Sequence, residues 1–222
     1  LTYTGTNENI ITINNITLNH YPDHNKSRSS YLPLLELSVN EDPNDDRNMH
    51  YLGREYMYYN MYEQSINILK RHLSLENATW KDERAASMRF IARCYKNLDN
   101  TIESRIWYDK AIKEAPHLRD ALIEKAILEY EDENYKEVEK LCLQALKIKT
   151  HPKTYINEVF SWNETVYDLL SLACYYQEKY DYALYFIDLA LEINQKDERL
   201  KNNKLIFLEK ENLWYTKHAT NI

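Results

Sequence analysis

An all-α chain of stacked helical hairpins is what this sequence predicts, and three observations predict it. Only two glycines, Gly5 and Gly53, occur in 222 residues, too few for the turns of a many-stranded sheet or for a Gly-rich phosphate loop. Residue types recur at a spacing of 34 positions over much of the chain. Four segments, "MYEQSINILKRHL", "NTIESRIWYDKAI", "NYKEVEKLCLQAL" and "KYDYALYFIDLAL", place apolar residues at helical spacing. With 44% hydrophobic residues the chain can bury the core of one or two domains.

The first element, residues 1–24, is the exception to the helical reading. In "NIITINNITLNHYPD" the apolar residues Ile10, Ile11, Ile13, Ile16 and Leu18 are broken by Asn14 and Asn15, which predicts one or two strands around a turn. Two strands alone are not stable in water, so they are expected to be a short β remnant of a sheet whose earlier part lies elsewhere. A start at Leu1 rather than Met agrees with a piece cut from a longer sequence. Residues 25–46 read as a linker and lead-in helix.

Residues 47–195 carry the repeats. The first unit runs Leu52, Gly53, Tyr56, then Ser65, Leu69 and His72. The second has Ile91, Ala92, Tyr95, then Ser104, Tyr108, Ala111 and Pro116. In the third, Ala126, Val138, Cys142 and Ala145 follow 34 positions after Ala92, Ser104, Tyr108 and Ala111, and the fourth has Leu170, Ser171, Ala183, Ile187 and Ala190. Small residues at Gly53, Ala92, Ala126 and Ser171 allow the two helices of a hairpin to approach closely, and larger apolar residues fill the space between hairpins. Residues 196–222 read as a capping helix and tail, with Leu200, Leu205, Leu208 and Leu213 expected along its packing stripe.

The period stretches twice, by about five residues around "ENATWKDERA" and by about eleven around "HPKTYINEVFSW". The second insert carries Tyr155, Phe160 and Trp162, too apolar for a free loop, and is expected to pack on the array.

This pattern resembles the tetratricopeptide repeat, whose units pair a Leu-Gly-x-x-Tyr half with an Ala-x-x-x-Phe half. The resemblance implies a tetratricopeptide-like solenoid whose first helices line a concave binding face. On that face Arg47, His50 and Arg54 from the first unit and Arg89 and Arg93 from the second make the expected ligand-binding set, a basic front end suited to anionic groups. Asp120 and Glu124 then turn the groove acidic, and Tyr175 and Tyr176 turn it aromatic. The clamp by which some such arrays hold a chaperone's acidic tail needs Lys and Asn in the first unit, Asn in the second, and Lys and Arg in the third. His50 with Arg54, Phe90, and Asp120 with Glu124 stand at those positions, so that use is not expected.

The net charge of -7 argues against nucleic-acid binding. Cys94, Cys142 and Cys174 are too scattered for a disulfide framework or a zinc site and suit a reducing cytoplasm. No apolar run is long enough for a membrane span. Nothing matches a nucleophile elbow, His-Glu-x-x-His or Asp-x-Asp.

A second, more specific resemblance is carried by His20-x-Pro22-Asp23, Lys26-Ser27-Arg28, Tyr31 to Glu36, Asp42 to Asn48 and Tyr51 to Tyr56, and continues through "TWKDERAASMRFIARCY", "EAPHLRDA" and "HPKTYINEVFSW". These stretches resemble the passage from the catalytic domain into the C-terminal repeats of bacterial-type family 2 glycosyltransferases. The resemblance implies a parent enzyme that transfers a sugar from a nucleotide donor with a divalent cation. Residues 1–24 would be the remnant of its catalytic domain, and His20 a ligand of its metal in the intact enzyme. The chain lacks the donor-binding and catalytic residues, so alone it is expected to hold no cofactor and transfer nothing. Its expected role is recognition of a protein or glycan acceptor, or homodimerisation; the alternative is a free-standing scaffold for a partner peptide.

Overall fold

The computed structural model of the chain describes residues 30–152 and 154–219, with side chains as far as residue 216. The expected strands of residues 1–24, with His20, lie outside the described residues. Among those described, every regular element is helical, and the β part of the expected fold class finds no support.

A lead-in helix, α1 (Tyr31–Glu41), precedes four helical hairpins. They pair α2 (Asp46–Tyr58) with α3 (Tyr62–Ser74), α4 (Lys81–Asn97) with α5 (Thr101–Glu114), α6 (Asp120–Glu131) with α7 (Tyr135–Lys147), and α8 (Thr165–Tyr176) with α9 (Tyr180–Ile193). Helix α10 (Glu198–Ala219) packs on α9.

One turn closes all four hairpins. Asn60, Asp99, Glu133 and Glu178 sit in the left-handed region, with φ of 59, 57, 58 and 60°. The next residue donates its N–H back across the turn, Met61 to Tyr56 O, Asn100 to Tyr95 O, Asn134 to Glu129 O and Lys179 to Cys174 O. This is the Schellman closure, which satisfies carbonyls that a helix end leaves open and turns the chain sharply. At the helix starts, Asp45 accepts from the Asn48 N–H at 2.8 Å and Asn100 from the Glu103 N–H at 3.1 Å, so each caps its helix.

Within the hairpins the small residues act at the closest approach. A Cβ on Gly53 would lie 2.4 Å from Leu69 Cδ2, so only glycine admits α3 at this distance from α2. Ser65 donates to Gly53 O at 2.7 Å and fixes the same contact from the other side. Ala92, Ala126 and Ser171 are fully buried at the corresponding positions. Between hairpins, Leu69, Ile91, Leu122, Ile123, Leu170 and Ile187 are buried almost completely, each stabilising the stack by roughly 1.5–3 kcal/mol.

The curvature follows from which helices touch. Along one side α2 meets α4, α4 meets α6 and α6 meets α8, whereas the second helices make no comparably extensive contacts with one another. The first helices therefore line the inner face. At the far end one expectation needs correction: among the described side chains of α10, Leu200 and Phe207 are the buried ones, and Leu205, Leu208 and Leu213 face solvent. Leu200 and Phe207 are two helical turns apart and meet the shallow end of the array with Tyr175, whose ring stacks 4.6 Å from that of Phe207.

Candidate functional site

The inner face is where binding was expected, and the insert between α7 and α8 lies along it. Its chain crosses back from the third hairpin to the first two. Arg89 donates through Nη2 to Ile156 O at 2.8 Å, and Ile156 is buried. The Tyr155 hydroxyl donates to Glu83 Oε2, while its ring packs against His50, Tyr51 and Trp80. Asp120, at the start of α6, accepts from the Glu158 N–H at 2.6 Å and from Asn157 Nδ2 at 3.1 Å. Val159–Ser161 forms a 3-10 turn, after which Trp162 is held between the guanidinium of Arg119, 4.0 Å from the ring centroid, and the stacked ring of His151 at 4.1 Å.

This arrangement corrects the expected basic front end. Arg89 is buried and makes ion pairs with Asp120 at 3.3 Å and Glu124 at 3.1 Å. Arg93 forks onto Glu124 at 2.7 and 2.9 Å and also meets Glu158 at 2.5 Å. Burial by itself would favour the neutral acid at Glu124, but Arg93 and Arg89 beside it hold its carboxyl below the ordinary range. His50 is fully buried rather than groove-lining, and burial pushes its imidazole down to about 3. Of the expected set, Arg47 is exposed, with Tyr51 and Tyr155 for neighbours, and Arg54 is half-buried with its guanidinium 4.9 Å from the Tyr51 ring. The physical reason is pairing: two arginines one helical turn apart on α4 face two carboxylates one turn apart on α6. That pattern was present in the sequence, but only the register of α4 against α6 joins the two sets.

Behind the insert is a buried relay that the sequence reading missed. Ser87 Oγ lies 2.7 Å from His50 Nδ1 and 2.9 Å from His72 Nδ1, and His72 Nε2 faces Glu83 Oε1 at 3.6 Å. Burial raises the Glu83 carboxyl, but His72 and the Tyr155 hydroxyl outweigh it and hold the group down at about 2. Beside the insert the groove stays open as a cavity of about 500 Å³, lined among others by Tyr58, Tyr62, Arg93, Lys96, Asn97 and Phe160. Aromatic rings and hydrogen-bonding groups share this lining. Lys96 already pairs with Glu131 at 2.6 Å.

Compared with solved structures, the chain is similar to the C-terminal part of a TPR repeat-containing protein from Cytophaga hutchinsonii, with a TM-score of 0.66 at 13% identity, over 83% of this chain and 66% of that one. The fold is that of a tetratricopeptide-repeat array. A structure of MamA matches with a TM-score of 0.59 at 17% identity, over 80% of this chain and 98% of that one. A Cut9-Hcn1 structure from the APC/C matches with a TM-score of 0.61 at 15% identity, over 82% of this chain and 33% of that one. No protein-family model matches, and no curated protein does. Among the described residues no helix is long and apolar enough to cross a membrane.

Proposed function

We propose that this tetratricopeptide array is the acceptor-recognition part of a family 2 glycosyltransferase, placed behind a catalytic domain that binds the nucleotide sugar and its cation. One observation carries the reading. The stretches that resemble those enzymes beyond the generic repeat pattern meet at one place: Glu83, Arg89 and Arg93 from the first, Arg119 and Asp120 from the second, Tyr155, Glu158 and Trp162 from the third. Residues that a simple helical repeat does not require are here those that seat an insert in the groove and shape the cavity beside it. Tyrosine rings with Asn, Lys and Arg side chains around a cavity suit hydroxyl-rich or peptide acceptors, which need both stacking and hydrogen bonds.

The test is made in the parent enzyme. Tyr58→Ala with Tyr62→Ala is expected to raise KM for the acceptor by about tenfold and leave KM for the sugar donor unchanged. Equal effects on donor and acceptor would sink the assignment, as would sugar transfer by the isolated chain. The gene itself offers a further check, because a donor-binding domain with Asp-x-Asp must be joined in frame upstream. The second reading, a free-standing scaffold for a partner peptide, is favoured by the insert, a folded segment of chain that the inner face holds through side-chain and backbone bonds. A start codon just before Leu1 would select it. Homodimerisation through the same array is the third use, read out by the mass of the protein in solution.

A further inference from the structure

We propose that Asp46, His72 and Glu83 form a zinc site that joins α2, α3 and α4. Their ligand atoms all lie within 4.8 Å of one another, one from each of three helices in two successive hairpins. His72 is fully buried, and among the described residues its Nε2 has no hydrogen-bond partner. At 3.6 Å from Glu83 Oε1 it is too far for a good hydrogen bond. The gap is instead close to what a tetrahedral cation requires, since two ligands bonded at about 2.0–2.2 Å stand roughly 3.4 Å apart.

The surroundings complete the donor set. Ser87 Oγ has one proton, which it donates to one of its two imidazole neighbours while accepting from the other. When it accepts from His72 Nδ1–H and donates to His50 Nδ1, the lone pair of His72 Nε2 points at the two carboxylates. That tautomer is unfavourable against bare anionic oxygens and favourable with a cation between them, and the serine supplies the outer hydrogen bond that metal-bound imidazoles use. Glu83 is equally prepared: Oε1 faces His72 while Oε2 is held by the Tyr155 hydroxyl. A nitrogen and two carboxylate oxygens suit zinc, and a water would complete its coordination. Asp46 is half-buried and gives the entry path from solvent. Among the described residues, Tyr51, Tyr155 and the exposed Arg47 also stand at this mouth, and the positive charge of Arg47 opposes cation binding.

Zinc binding to the chelator-treated chain, in competition with a chromophoric chelator, tests the site. The expected result is one zinc per chain, with Asp46→Asn and Glu83→Gln each weakening affinity by about tenfold or more. Zinc should also raise the melting temperature of the wild type and not that of Asp46→Asn, because only the folded state assembles the three ligands. Asp46 is not a core residue, so its variant decides the matter even where Glu83→Gln fails to fold. His117→Ala, which removes the exposed histidine paired with Asp82, should change nothing. Absence of saturable uptake, undiminished uptake by Asp46→Asn, or loss in His117→Ala would each overturn the proposal.

Discussion

His50 shows how far a single residue's role depends on its neighbours. Its sequence position on the inner side of a first helix suggested a groove-lining ligand contact. In the fold it is fully buried, hydrogen-bonded to Ser87 and close to Phe90 and His72. Burial lowers its pKa to about 3 from an ordinary 6.5. As pH falls through 6.5 the unfolded chain takes up the proton and the folded one does not, so stability complete above that pH is progressively lost down to about pH 3. The loss from this group between pH 7 and pH 4 is of the order of 3 kcal/mol. Urea unfolding midpoints measured across that range with chelator present should fall, and His50→Gln should flatten the slope; equal slopes in the two proteins would contradict it. None of this was legible locally, since Ser87 and His72 come from other helices.

At the scale of elements, the hairpin turn is the most regular device in the protein, and it is not served by glycine. Asn60 and Asp99 are residue types that tolerate the left-handed conformation, but Glu133 and Glu178 are not. Replacing Glu133 by glycine removes backbone strain of about 1 kcal/mol, partly offset by the greater freedom of glycine in the unfolded chain. Glu133→Gly is therefore expected to be more stable by about 0.5 kcal/mol in denaturant titration. A loss of stability would mean that the turn carries no strain. The helices themselves were plainly legible, because apolar spacing and the small residues at Gly53, Ala92, Ala126 and Ser171 are local properties of the chain. Helix α10 was legible as an element but not in its orientation: it has two apolar stripes, and only the end of the array selects Leu200 and Phe207 over Leu205, Leu208 and Leu213.

For the whole molecule, the insert between α7 and α8 changes what kind of array this is. It ties the third hairpin to α4 of the second by way of Tyr155, Ile156 and Glu158, contacts that span 65 to 72 positions of sequence, and to α2 of the first through the Tyr155 ring on His50 and Tyr51. Tyr155→Ala with Glu158→Ala removes its side-chain hold on Glu83 and Arg93 while leaving the hairpin cores untouched. The expected outcome is proteolytic cleavage between α7 and α8 faster by about tenfold with unchanged helical content, since local opening sets the rate. Unchanged cleavage would show that Trp162 and Ile156 suffice to hold the segment. The amino-acid sequence by itself determined the helices, the four hairpins and the place of the insert between α7 and α8, because these rest on spacing within a few turns of chain and on side-chain size. Only the tertiary structure decided that the arginines of α4 answer the carboxylates of α6, that the insert lies along the groove and leaves a cavity beside it, and that Asp46, His72 and Glu83 converge. Charge pairing and ligand geometry depend on the distance between helices, and no local pattern encodes that distance.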